Sequence, residues 1–200
     1  MKENVSLFIY SLDGKGGAEK MASMILKDMK KEYNIFLVLM DGGVIRNDLS
    51  NFNNIYFLEH SSPTEGRFIK FLKLPYLAYK YLLFCRKHQI TKSISFLTRP
   101  NFIAIISKKI GNQAEVVISE HSLVSKQYSK TNMQSIIVKY LIRILYPLAD
   151  NLIAVSKGVK EDLTNNFKIK KNIKVVYNFI DVEDIEEKSN DKCEFDFSSF

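Results

Sequence analysis

Val5-Ser6-Leu7-Phe8-Ile9-Tyr10 leads into Asp13-Gly14-Lys15-Gly16-Gly17-Ala18-Glu19, and Ala18, Met21, Ala22, Ile25 and Met29 then recur at helical spacing. A short, wholly apolar run entering a glycine-rich turn and an amphipathic helix is the opening of an α/β fold. Gly16 and Gly17 carry no Cβ to hold a ligand off the backbone, and the helix that follows aims its unpaired N–H groups at the turn. Such turns bind phosphate in α/β proteins. The Walker pattern is not met, because the pair Gly14-Lys15 is followed by Gly16 and not by Ser or Thr. The dinucleotide pattern is met for two glycines, with Glu19 in the place of the third; Asp41 then stands as the candidate ribose-binding acid, further on than the usual ~20 residues. A plain tight strand-to-helix connection is the competing reading of the same turn.

Outward from this unit the alternation continues. Apolar, β-branched runs predict strands at Val5–Tyr10, Ile35–Met40, Ile55–Leu58, Ser93–Leu97, Val116–Ser119, Leu152–Val155 and Ile173–Val176. Helical patterns fall between them at Ala18–Lys31, Phe68–His88, Pro100–Ile110, Gln134–Leu148 and Lys157–Phe167. Runs apolar on both faces suit a buried parallel sheet, and the order predicts a doubly wound, mainly parallel, Rossmann-like α/β sheet of about seven strands. This domain is expected over residues 1–184, with the acidic, polar 185–200 as a linker or tail.

The composition, 46% hydrophobic and 26% charged, is that of a globular protein, and no apolar run is long enough to span a bilayer. Met1-Lys2-Glu3-Asn4 does not introduce a signal peptide, so the expected location is cytoplasmic. Two cysteines, Cys85 and Cys193, and three histidines are too scattered for a metal or redox motif. The net charge of +7 calls for an anionic partner.

In a doubly wound sheet, ligands bind beyond the carboxyl ends of the strands. That rule selects Gly16 and Gly17, Thr98 and Arg99, Glu120 and His121, Ser156, and Asn178. His121 is suited to orient a hydroxyl or shuttle a proton, with a backbone-bonded loop histidine as the alternative. Glu120 is a second polar contact, although neighbours at a strand end face opposite ways and only one is expected to enter the crevice. Arg99 is suited to clamp a phosphate, or is an ordinary solvated arginine at a helix start. In the Phe68–His88 helix, Lys70, Lys73, Lys80 and Lys87 recur with Leu77 and Phe84 on their side, and Phe71, Leu72, Tyr79, Leu82 and Leu83 form a core stripe. Basic residues interleaved with apolar ones suit a helix lying on an anionic membrane surface; the alternative is a core helix whose lysines snorkel. No motif for nucleic acid accompanies the charge.

Taken together, these pieces resemble family 4 of the retaining GT-B glycosyltransferases. The resemblance rests on Gly16-Gly17-Ala18-Glu19, Ser95-Phe96-Leu97 with the turn to Asn101, Ser119-Glu120-His121-Ser122, Tyr146-Pro147-Leu148-Ala149-Asp150 before Leu152 to Val159, and Tyr177-Asn178-Phe179-Ile180-Asp181. It implies the N-terminal, acceptor-binding half of an enzyme that moves a sugar from a nucleotide-sugar to an acceptor, with retention and no obligatory metal or other cofactor. By the resemblance, Gly16 and Gly17 approach donor phosphates or acceptor, and His121 contacts the transferred sugar. A lipid-linked or polysaccharide acceptor in bacterial surface glycan synthesis, and a peripheral place on the inner membrane face, are implied as well. The family's donor-binding motifs do not occur before Phe200, so the chain alone is expected to be inactive without a donor domain or a separate donor subunit. Asn178 is followed by Phe179, where the common family pattern has glycine or proline. Two other classes fit parts of the sequence: a non-catalytic membrane-surface scaffold, and a nicotinamide- or nucleotide-binding Rossmann domain using the glycine turn with Asp41.

Overall fold

A computed structural model describes residues 2–12, 16–40, 52–59 and 67–178, with the side chains of Arg67 and Phe68 excepted. The strands are β1 (Asn4–Ile9), β2 (Asn34–Leu39), β3 (Ile55–Phe57), β4 (Lys92–Phe96), β5 (Glu115–Glu120), β6 (Asn151–Ala154) and β7 (Ile173–Val175). They form one sheet in the order β3-β2-β1-β4-β5-β6-β7, with every pairing parallel. The direction of winding reverses between β1 and β4, so the crevice of a doubly wound sheet opens at the carboxyl ends of these two strands. Each lies within a residue or two of the range expected from its apolar run.

The helices are α1 (Gly17–Met29), α2 (Arg67–Leu72), α3 (Leu74–Lys87), α4 (Thr98–Lys109), α5 (Val124–Gln127), α6 (Met133–Leu145) and α7 (Lys157–Phe167), and a 3-10 turn at Tyr146–Leu148 continues α6. Side chains alternate across the sheet. Phe8, Val38, Val116, Ile118, Leu152 and Ala154 face one core with buried residues of α3, α4, α6 and α7. Leu7, Ile9, Leu37 and Leu39 face the other, against Ala22 and Leu26 of α1.

Three features of the helices depart from the sequence pattern. The single helix expected over Phe68–His88 is two, α2 and α3, interrupted at Lys73. Pro75 sits in the first turn of α3, where it lacks the N–H that would bond back to Phe71 and its ring would meet that carbonyl. The faces of this pair differ in part from the expectation: Leu82 is buried and Phe71 packs against the core as expected, but Leu77 is buried too, while Leu72, Tyr79 and Leu83 of the expected core stripe are exposed. The short helix α5 has no counterpart in the sequence reading.

At the winding reversal the sheet is bridged from behind. The buried Tyr81 hydroxyl lies 2.6 Å from Ser6 Oγ on β1 and 2.7 Å from Ser93 Oγ on β4, and its ring stacks on Phe8 with centroids 4.6 Å apart. Burial raises the Tyr81 phenol well above its ordinary range, so it stays protonated and serves both serines.

Candidate functional site

At the end of β5 the alternation of side chains divides two neighbours. Glu120 turns into the helix layer and is fully buried. Its Oε2 accepts from Tyr146 Oη at 2.5 Å and Thr98 Oγ1 at 3.3 Å, and its Oε1 accepts from the backbone N–H groups of His121 and Ser122 at 3.0 and 3.3 Å and from Ser122 Oγ at 2.9 Å. Burial raises its pKa, and these donors pull in the other direction. Glu120, expected to offer a polar contact in the crevice, is occupied by the chain's own donors.

His121 turns to the opposite side. It lines a cavity of about 210 Å³ between the sheet and α1, whose walls include Met21, Ile25, Phe96, Val155 and Val176. Its Nε2 lies 3.0 Å from Ser119 Oγ, its ring centroid lies 5.6 Å from that of Phe96, and its Nδ1 is buried with no partner among the described residues. Burial lowers its pKa to about 4, so the imidazole is neutral near pH 7. A neutral ring with one nitrogen held by serine has the other free to donate to, or accept from, a ligand hydroxyl. Met21, Ile25 and Met29 bring α1 to the same cavity, and the glycine turn that precedes α1 does not line it.

Within that turn, Gly16 O accepts from the N–H groups of Glu19 and Lys20, and Ser11 Oγ donates to Glu19 Oε1 at 2.9 Å. Glu19, in the place of a third glycine, reaches back to Gly16 N at 3.4 Å and caps its own helix. Gly16 has an ordinary extended φ of −113°, and a Cβ added to Gly17 would have no heavy atom of the described residues within 4 Å. Neither glycine is required by the backbone or by packing. Asp41 lies outside the described residues, as do Gly14, Lys15, His60, Asp181 and residues 185–200.

Across the winding reversal, β4 enters α4 through Leu97 at φ +71°, ψ 159°, a region that only glycine occupies comfortably and that costs about 1–3 kcal/mol elsewhere. The turn is fixed by neighbours: Leu97 N donates to Ser119 O, Ser95 Oγ donates to Asn101 Oδ1 at 2.8 Å, and Asn101 Nδ2 donates to Ser119 O at 3.1 Å. It carries Thr98 and Arg99 to the wall of a second cavity, of about 110 Å³, which also includes Lys70, Phe71, Tyr128 and Gln134. Arg99 Nη2 donates to Glu59 Oε2 at 3.4 Å and to Lys70 O at 3.2 Å. Arg99 and His121 therefore line different cavities, joined through Thr98 and Glu120. Asn178 is exposed beyond β7, and Ser156 caps α7 by accepting from Val159 N at 3.2 Å.

The lysines expected to face a membrane divide. Lys73 pairs with Glu59 at 2.9 Å and Lys80 donates to Leu58 O at 2.7 Å, so both turn toward the end of β3. Lys70 is half-buried and Lys87 is exposed. The apolar surface is instead made by Ile69, Leu72, Tyr76, Tyr79 and Leu83 of α2 and α3, and by Met133, Ile136, Tyr140 and Ile144 of α6, all exposed. The α6 stripe was missed in the sequence, although its spacing of three, four and four residues is itself the signal. Among the described residues no helix is long and apolar enough to cross a membrane, and no group of His, Cys, Asp and Glu could hold a metal ion.

Residues 16–184 match the family described as Glycosyltransferase Family 4. The chain is 41% identical over 192 residues to the N-acetylgalactosamine-N,N'-diacetylbacillosaminyl-diphospho-undecaprenol 4-alpha-N-acetylgalactosaminyltransferase of Campylobacter jejuni, covering 94% of this chain and 51% of that protein. It thus spans about half the length of that relative. Among solved structures it is similar to sucrose-phosphate synthase from Thermosynechococcus elongatus, with TM-score 0.66, 10% identity, and 96% and 54% of the two chains covered. It is also similar to a glycosyltransferase from Rickettsia africae, with TM-score 0.61, 17% identity, and 97% and 48% covered. Likeness at such identities shows the fold alone.

Proposed function

This chain belongs to glycosyltransferase family 4, and from that premise we propose that it is the acceptor-side domain of a retaining enzyme that moves a sugar from a nucleotide-sugar onto a lipid-linked diphospho-oligosaccharide in bacterial glycan synthesis. The observation that carries this reading is the 41% identity, along 94% of the chain, to a transferase whose name specifies a diphospho-undecaprenol acceptor. Donor binding is assigned to a further domain or subunit, in keeping with the half-length match. In this reading the donor would lie against the glycine turn and His121, both at the carboxyl ends of strands.

His121 is proposed to bond a hydroxyl of the transferred sugar through its unpartnered Nδ1. The bond from the anomeric carbon to the donor phosphate breaks, and the acceptor oxygen bonds that carbon on the same face. The acceptor's proton passes to the departing phosphate oxygen. The protein's part is to position the reactants and to stabilise developing charge. No ionisable nucleophile is required.

Peripheral membrane attachment is proposed through the exposed apolar residues of α2, α3 and α6, with Lys70 and Lys87 at the level of anionic headgroups. The test of the whole reading is transfer of radiolabelled sugar from nucleotide-sugars to a polyprenyl-diphosphate-linked acceptor, by the enzyme that carries this chain. Transfer in wild type and its loss in His121→Ala is the expected result; wild type inert toward every donor on such acceptors would falsify it.

A further inference from the structure

Two of the three guanidinium nitrogens of Arg99, Nε and Nη1, are buried and have no hydrogen-bond partner among the described residues. A buried charged donor left unmatched is costly, and native structures leave few such groups without a ligand, ion or water to meet them. Arg99 also lacks full charge compensation among the described residues. Its carboxylate, Glu59, is shared with Lys73, which it contacts at 2.9 Å against 3.4 Å for Arg99. Lys70 adds a further cation to the same cavity wall. Glu120 lies behind Thr98, with its oxygens engaged by Tyr146, His121 and Ser122. The cavity is therefore a positively charged recess that also offers Tyr128, Gln134 and Thr98 as polar neighbours.

Its surroundings say which anion it suits. One wall is α2 and another is α6, and residues beside the lining ones, Ile69 and Leu72 on α2 and Met133 and Ile136 on α6, are exposed and apolar. On the inner side, Thr98 contacts Glu120, the residue before His121. From the surface inward the chain presents exposed apolar residues and then buried cationic donors, while His121, proposed to contact the transferred sugar, lines the other cavity. A molecule with a hydrocarbon tail followed by a phosphate matches the order of these two surfaces.

We propose that Arg99, assisted by Lys70, binds the diphosphate of the lipid-linked acceptor in this recess, and so sets the enzyme's demand for a phosphorylated acceptor. The proposal rests on the function stated above and names the subsite within it. Arg99 touches substrate here through charge-assisted hydrogen bonds, for which a guanidinium has more donors in fixed geometry than an ammonium.

The test compares two acceptors bearing the same sugar, one a short polyprenyl diphosphate and one an uncharged alkyl glycoside, in neutral detergent with the full-length enzyme. Arg99→Gln is expected to lower kcat/KM for the diphosphate acceptor by about tenfold or more, the size of one lost charge-assisted contact, while the uncharged acceptor changes by less than about twofold. Lys70→Gln, at a half-exposed position, gives a smaller loss with the same selectivity and guards against misfolding of the first variant. Equal losses on both acceptors, or none on the diphosphate, overturn the proposal. Loss confined to vesicles containing anionic lipid, and absent in neutral detergent, transfers the recess to a lipid headgroup and also overturns it. Inorganic pyrophosphate supplies a readout independent of turnover. It should raise the thermal midpoint of wild type in a concentration-dependent way and leave Arg99→Gln unmoved, and an equal response in both proteins counts against the site. If wild type transfers sugar to neither acceptor yet shows the Arg99-dependent pyrophosphate shift, the assigned function fails and the anion site stands.

Discussion

The Tyr146 hydroxyl and Oε2 of Glu120 meet at 2.5 Å in a fully buried contact that ties the end of α6 to the residue preceding His121. Through its other oxygen, the same carboxylate holds the backbone N–H groups of His121 and Ser122. With His121 in its proposed role, Glu120 and Tyr146 act as positioning residues for the histidine. Tyr146→Phe is expected to lower kcat by about tenfold, the effect of a small misplacement of a contacting group, with KM within about twofold. Steady-state kinetics on the full-length enzyme separates the two parameters, and an effect on KM alone would contradict this role.

Burial of Glu120 also has a signature in stability. Its carboxyl is raised in the folded protein, so the associated stability is fully present below the unfolded value of about 4.3 and is lost as pH rises through the folded one. Glu120→Gln keeps the shape and removes the charge. Its stability relative to wild type should therefore improve between pH 4 and pH 7, as read from urea denaturation at the two pH values. A constant difference would mean that Glu120 is not held above its ordinary pKa.

His121 gives the opposite slope. Its folded pKa of about 4 lies below the ordinary histidine value of about 6.5, so its contribution is present above pH 6.5 and is lost as pH falls toward 4. His121→Ala should flatten that part of the stability profile and, in the full-length enzyme, reduce kcat by on the order of 10²-fold or more. Retention of near-normal turnover would remove the histidine from the reaction.

Gly17 separates folding from ligand approach. A Cβ there meets no heavy atom of the described residues within 4 Å, and alanine lowers the entropy of the unfolded chain, so Gly17→Ala should stabilise the fold by about 0.4–1 kcal/mol. A substrate that comes against the bare turn is hindered by the same methyl group. The expected pairing is a higher thermal midpoint with a raised KM; unchanged kinetics would identify the glycine turn as a plain connection.

The apolar stripe on α6 can be tested apart from the recess between α2 and α6. Ile136→Asp with Tyr140→Asp changes two exposed positions and should reduce flotation with anionic liposomes several-fold, since each puts a charge where an apolar side chain is proposed to enter the membrane. Undiminished flotation would place membrane attachment elsewhere on the protein.

The sequence carried the architecture because it is written in local terms: each run such as Val5–Ile9 or Val116–Ser119 is apolar on both faces, and parallel strands buried on both sides need that composition. It carried the candidate residues to the carboxyl ends of the strands for the same reason. Pairings between distant residues were not written locally. Glu59 meets Arg99 across 40 positions and Thr98 meets Glu120 across 22, and no periodicity announces either. Pro75 accounts for the break between α2 and α3, whereas the buried face of α3, Leu74, Leu77, Ala78, Tyr81, Leu82 and Cys85, is chosen by packing against the sheet and α4, because apolar residues occur on more than one side of this helix. The separation of Glu120 from His121 was legible in principle from side-chain alternation, whereas the engagement of the carboxylate by Tyr146 required the fold.

Tyr81 holds β1 and β4 together where their crossovers part to opposite faces. In engineering terms, this makes the frame a fixed chassis. The glycine turn, the Leu97–Asn101 turn and the loop bearing His121 emerge above a seam locked by a buried phenol well below them. A loop exchanged at these strand ends would leave the seam intact as long as Ser6, Tyr81 and Ser93 stay together as one unit, but the Leu97–Asn101 turn and the His121 loop would have to keep Ser95, Asn101, Ser119, Glu120 and Tyr146 with them.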